Sequence, residues 1–294
     1  MTQLARAWTR FTTWFLNLAP HWKLFILAPV MAELVSHHQP LWEFFNPIII
    51  GITFIPYGCG ALVARELVVR NGKGWASLIL LGAAFSLVFE GIVTRVMFNP
   101  MWDELGALAT YQHVYAFNWS LSIGLVHFHI ALSIFAAVAL TEMFHPERRH
   151  ESWISDRALL WCAVAVPAWT VVIGLFVSFM PPLTGLIALI ALVIALIVLA
   201  LHIPAHPFAD RGQSAPRPWV FGMIGGLMTT GVMVSVYMLP EMTTPPPLLP
   251  FCIVLGALLV IAWTCLVYAS GGGARWTDQH RLALVAGLLA FFIA

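Results

Sequence analysis

The stretch LTGLIALIALVIALIVLALHI, Leu183–Ile203, carries no Asp, Glu, Lys or Arg in 21 consecutive residues. At 1.5 Å per helical residue it reaches about 31 Å, the thickness of a bilayer's hydrocarbon core. A soluble helix with no charge on any face has no side to turn to water. Working outward, comparable runs recur at Trp14–Ser36 (interrupted by Pro20, His21 and Lys23), Phe44–Ala64, Trp75–Phe98 and Phe117–Phe144, then at Ala158–Met180, Trp219–Leu239 and Leu248–Ser270. The expected fold is an all-α polytopic transmembrane bundle of eight spans in a single membrane domain, residues 1–294. A last apolar run, 282–294, covers about 20 Å and is too short to cross, so a half-inserted segment is expected there.

Composition agrees. Of 294 residues, 61% are hydrophobic and 9% charged, with a mean hydropathy of +0.89. Soluble domains carry about 25% charge, so this chain cannot cover a water-facing surface. A net charge of +1 leaves no footprint for nucleic acid. The expected partner is the lipid bilayer, together with an unknown membrane-borne substrate or solute. Arg6 and Arg10 precede no compact apolar core with a small-residue cleavage site, so the first span reads as uncleaved.

Basic residues in short loops orient the spans. With the N-terminus in the cytoplasm, 13 of the 14 Lys and Arg fall on the cytoplasmic side; the exception is Arg95, near the outer end of the third span. Glu43, Asp103, Glu104 and Glu241 fall outside. The bias predicts a cell (inner) membrane protein. Trp22, Trp42, Trp75, Trp102, Trp119, Trp153, Trp219 and Trp276 lie near span ends, as an interfacial belt requires. The four cysteines form no CxxC pair and read as small buried hydrophobes. Pro29, Pro56 and Pro167 fall inside spans and predict kinks. No inverted repeat relates the two halves.

A charge within hydrocarbon costs about 2.5–3.5 kcal/mol on the insertion scale and marks a functional position. Glu90, Arg95 and Glu33 are such charges, and His127 and His129 join them from the fourth span. Ser86, Glu90 and Thr94 recur at i, i+4 and i+8, a polar stripe on an apolar helix. Arg95 lies about 140° around from Glu90 and is expected at the outer interface or on another helix. His127 and His129 sit level with Glu90 but point to nearly opposite sides, so only one can meet it. Glu33 and His37 share a face at i, i+4.

These residues admit three readings. Glu33, His37, His127 and His129 supply ligand types that Zn²⁺ accepts, with Glu90 as general base. The same groups could form a hydrogen-bonded network that holds helices together, or line a path for a proton or a small solute. His145 and His150 read as members of a solvated charged loop, His202 and His206 as interfacial, and His37-His38 as an outward loop.

The stretch Phe89-Glu90-Gly91-Ile92-Val93-Thr94-Arg95 with Met97-Phe98 resembles the first signature of the CPBP family, intramembrane metalloproteases related to the CAAX prenyl protease. Ser122-Ile123-Gly124-Leu125-Val126-His127 resembles the second. Gly91 stands where the family has a second glutamate, and the nearest spacing match to its third signature is His202–His206. The resemblance implies a metal-dependent intramembrane hydrolase with Glu90 and His127 catalytic. The residues themselves leave a proton- or small-solute-coupled transporter, or a structural membrane protein, as alternatives.

Overall fold

The computed structural model describes residues 3–37, 39–111, 113–209, 214–242 and 248–293; His38, Arg211 and the run Pro245–Pro247 lie outside the described residues. We number the main helices α1 (Gln3–Asn17), α2 (Pro20–Val35), α3 (Pro47–Arg70), α4 (Trp75–Val93) and α5 (Trp119–Phe144). They continue with α6 (Asp156–Gly174), α7 (Leu183–His202), α8 (Pro218–Glu241), α9 (Leu248–Ala269) and α10 (Asp278–Ile293). Helices α3 to α9 are each long and apolar enough to cross a membrane.

The first expected span, Trp14–Ser36, is broken. Its chain bends by 120° between Thr9–Asn17 and Pro20–Val35. Ala19 is extended (φ −61°, ψ 150°) and Pro20 opens a new helix, a position where its missing N–H costs nothing. Helix α1 is amphipathic, with Phe11 and Trp14 exposed on one side, the form of a helix that lies in the membrane surface. Lys23, almost fully buried, reaches back to donate to the Leu16 carbonyl at 2.8 Å and pairs with His145 Nε2 at 2.8 Å. Phe15 meets Phe144 edge-on, so α1 is tied to the inner end of α5.

Helix α5 is the central post. Every side chain from His129 to Ala139 is buried, packed against α2, α3, α4 and α10. At its outer end Asn118, fully buried, caps the helix: its Oδ1 accepts from Leu121 N at 3.0 Å while its Nδ2 donates to Leu108 O at 2.6 Å. That one side chain fixes the outer loop over the bundle, beside a short hairpin pairing His113–Val114 with Phe117–Asn118. Helix α10, over the segment expected to be half-inserted, lies along α8 with Leu284, Val285 and Leu288 buried.

At the inner end Arg65 and Glu66 are both completely buried. Glu66 accepts from Arg65 Nη1, Arg70 Nε and the Trp153 backbone N–H, each at 2.9 Å. Arg65 also donates to the carbonyls of Glu151 (2.6 Å) and Arg149 (2.7 Å), and its guanidinium lies 3.5 Å from the Trp153 ring centroid. The loop between α5 and α6 is thereby held against α3. The sequence reads Arg65 only as a marker of the cytoplasmic side; the pairing of adjacent residues across a loop leaves no periodic trace.

Among the described residues, four stretches of the bundle are π-helical: Val30–Val35 in α2, Leu87–Val93 in α4, His129–Ala136 in α5 and Val234–Met238 in α8. The first follows Pro29, whose ring disturbs the preceding turn. Pro56 and Pro167 are accommodated within α3 and α6.

Candidate functional site: a buried carboxylate–imidazole pair

The π-turns and the ionisable residues coincide. Glu33, Glu90 and His129 each lie in one, and the fourth carries Tyr237, within electrostatic range of Glu90. A π-turn gives up regular i→i−4 bonding, and such turns collect at functional positions. Here they widen three neighbouring helices where their polar side chains meet.

His129 Nε2 and Glu90 Oε1 are 2.9 Å apart, with the imidazole fully buried and the carboxylate side chain 12% exposed. His129 Nδ1 pairs with Ser133 Oγ at 2.9 Å, one helical turn on, which orients the ring. Thr94 Oγ1 donates to Glu90 Oε2 at 2.9 Å, so the stripe expected on α4 survives the π-turn between Glu90 and Thr94. Ser86, the third member of that stripe, is buried without a hydrogen-bond partner among the described residues. Four aromatic rings enclose the imidazole: Tyr57 stacks on it at 5.7 Å, and Phe85, Phe89 and Phe128 meet it edge-on at 5.3–5.8 Å. The Glu33 carboxylate lies within electrostatic range of Tyr57. The hydrogen-bonded chain itself runs Ser133–His129–Glu90–Thr94, with Tyr57 stacked on the imidazole.

His127 faces away. Its Nε2 lies 3.3 Å from Thr229 Oγ1 on α8, and its ring is 6.0 Å from that of Trp263 on α9. His37 is exposed beyond the end of α2. Arg95, in a left-handed conformation (φ 60°), donates to the carbonyls of Val177 (3.0 Å) and Phe179 (2.9 Å) and so closes the outer connection between α6 and α7. It lies beyond the end of α4, reaches a different helix pair and does not pair with Glu90.

The zinc ligands proposed from sequence are not brought together. Among the described residues no group of three or more His, Cys, Asp or Glu side chains is placed to hold a metal ion. His127 and His129 are on opposite sides of α5, so they cannot share a ligand shell of about 2 Å radius. The donor set does not fit zinc, and no catalytic step follows from it.

A protein-family model described as an uncharacterized membrane protein family matches residues 24–294. The chain belongs to that family. No curated protein and no solved structure matches the chain. Membership corrects the resemblance to CPBP proteases: the match spans nearly the whole chain and is to a different family. The two CPBP-like segments cover one outer corner of the bundle, and within this membrane protein family member their Glu90 and His127 do not meet.

Proposed function

We propose that this multi-pass membrane protein is a proton-coupled carrier of a small solute, with Glu90 and His129 as its proton-binding pair. The observation that supports this reading is the 2.9 Å contact between a carboxylate and an imidazole inside the bundle, set in the π-turns of two adjacent spans. Two groups that each accept a proton, held in contact away from bulk water, can share one proton and pass it on. Ionisable groups at this depth mark ion and proton paths.

The surroundings give that proton a direction. Tyr57, stacked on His129, and Glu33 near it place polar groups between the pair and the end of α2. Inward along α5, only apolar side chains follow Ser133 until Thr141 and Glu142. Polar groups therefore lie on the outer side of the pair, and apolar packing lies below it. Passage across requires the helices to shift, and the π-turns are where their backbone hydrogen bonding is least regular. Irregular backbone at membrane depth is typical of carriers that alternate access.

The test is infrared difference spectroscopy on the protein in lipid, titrated from mildly alkaline to mildly acidic pH, with proton flux into dye-loaded vesicles measured alongside. The expected result is a carboxylic-acid band and a coupled imidazole band, both absent in Glu90→Gln and His129→Ala, with flux falling at least about tenfold. A parent protein that takes up no proton at this pair, or a Glu90→Gln variant with unchanged flux, overturns the reading and leaves a hydrogen bond that merely joins α4 to α5.

A further inference from the structure

A second feature lies on the opposite side of α5. Helices α7 and α9 form the walls of a groove whose floor is made by α4 and α5. Its volume is about 610 Å³, and its lining is almost entirely apolar. It runs from Phe117 and Trp119 at the outer end to Ile203 and Phe208 at the inner end, so it follows nearly the full depth of the membrane. Large apolar side chains of both walls are exposed on their outward faces, where the surrounding medium is lipid.

Besides the hydroxyl residues Ser122 and Thr264, two nitrogen-bearing rings break this lining. His127 and Trp263 both border the groove and both are buried, at 1% and 7% exposure. His127 Nδ1 and the Trp263 indole Nε1–H have no hydrogen-bond partner among the described residues. His127 is eight residues, about 12 Å, inside Trp119, well below the interface. An indole N–H and an imidazole nitrogen left unpaired in an apolar setting are costly, and lipid tails offer them nothing. Their ring centroids are 6.0 Å apart, which brings the two side chains to one stretch of the groove wall.

The chemistry of a group that pairs with them is restricted. A phosphate or carboxylate head would have to leave the interface and carry its charge into hydrocarbon. An uncharged oxygen pays no such penalty. It accepts from the Trp263 N–H, and it can pair with His127 Nδ1 whichever ring nitrogen carries the proton if it is a hydroxyl, or when Nδ1 is protonated if it is a carbonyl. We propose that the groove binds a lipid-soluble molecule with a long apolar tail and one uncharged oxygen group, carbonyl or hydroxyl, held at His127 and Trp263. The ligand enters sideways from the bilayer. This inference is independent of the proton-binding pair, which lies across α5.

Gly256, on the groove side of α9 two turns from Trp263, provides a way to fill the groove without touching either polar atom. A Cβ there meets only Ile123 Cδ1, at an ordinary 3.6 Å, so the backbone accepts a side chain and Gly256→Leu projects into the cavity. The experiment is native mass spectrometry of the full chain released from micelles, titrated with farnesylacetone (one carbonyl), farnesol (one hydroxyl) and the oxygen-free hydrocarbon farnesane. One equivalent of farnesylacetone or farnesol is expected to be retained, and the better of the two identifies the oxygen. Trp263→Phe and His127→Ala should each weaken retention about tenfold, the equivalent of one hydrogen bond. Gly256→Leu should abolish it. Farnesane retained as well as farnesol, retention of neither oxygen-bearing probe, or equal retention by parent and Gly256→Leu would overturn the proposal. If His127→Ala fails to fold, the Trp263→Phe and Gly256→Leu arms still decide.

Discussion

Glu66 and Glu90 are both carboxylates on membrane-spanning helices, yet their surroundings assign them different work. Both oxygens of Glu66 are committed to fixed donors: two arginines and a backbone N–H. It therefore has no capacity to exchange a proton without breaking the inner end of the bundle. Removing it strands the Arg65 guanidinium, which is fully buried and otherwise bonded only to carbonyls and, at 3.7 Å, to Glu142. Losing one partner of a buried pair costs about 3–5 kcal/mol. Glu66→Ala should accordingly lower the thermal unfolding midpoint of the detergent-solubilised protein sharply, while Glu66→Gln, which keeps an acceptor oxygen, should lower it less. Equal midpoints for parent and Glu66→Ala would show that the loop between α5 and α6 is held by other contacts. Glu90, by contrast, has a hydroxyl and an imidazole for partners, both of which can reverse their roles as donor and acceptor.

At the scale of the helix, much was legible before any coordinates. Apolar length alone locates α3 to α9, because only a helix satisfies its backbone in hydrocarbon. The i, i+4 phase brought Thr94 onto Glu90, and the opposed phases of His127 and His129 meant that only one could reach it. What the phase could not show was which, since the π-turns at Leu87–Val93 and His129–Ala136 reset the rotation by a residue and have no signature in composition. Nor does hydropathy reveal close helix contact. Gly287 on α10 lies so near α8 that a Cβ would meet the Gly222 carbonyl oxygen at 2.0 Å, against backbone that cannot rotate away. Gly287→Ala must push the two helices apart, at about 1–3 kcal/mol for overpacking. Gly231→Ala, on the same helix pair but with nothing within 4 Å, should be neutral or slightly stabilising through helix propensity. Thermal midpoints of the two variants check this directly; a loss for Gly231→Ala equal to that for Gly287→Ala would remove the packing argument.

For the whole molecule, the distribution of charge carries the remaining argument. Arg65, Arg70, Arg149 and Arg281 gather at one end with Glu66, Glu142, Asp156 and Asp278 as counter-charges, and Arg70 pairs with Asp156 across two helices. These acids neutralise part of the basic excess, but the positive-inside rule counts Lys and Arg and gives Asp and Glu little weight. The basic end is therefore assigned to the cytoplasm, and the hairpin, the Arg95 clasp and the outer polar groups to the opposite face. Tyr115 at the hairpin tip is 92% exposed and Glu147 lies in the loop beyond α5. In a background with all four cysteines replaced, Tyr115→Cys should react with a membrane-impermeant maleimide added to intact cells, and Glu147→Cys only after the membrane is opened. Labelling in the reverse order would invert the bundle, and with it the side on which Glu33 and Tyr57 flank the Glu90–His129 pair; the groove at His127 and Trp263, which opens sideways to lipid, would keep its place in either orientation.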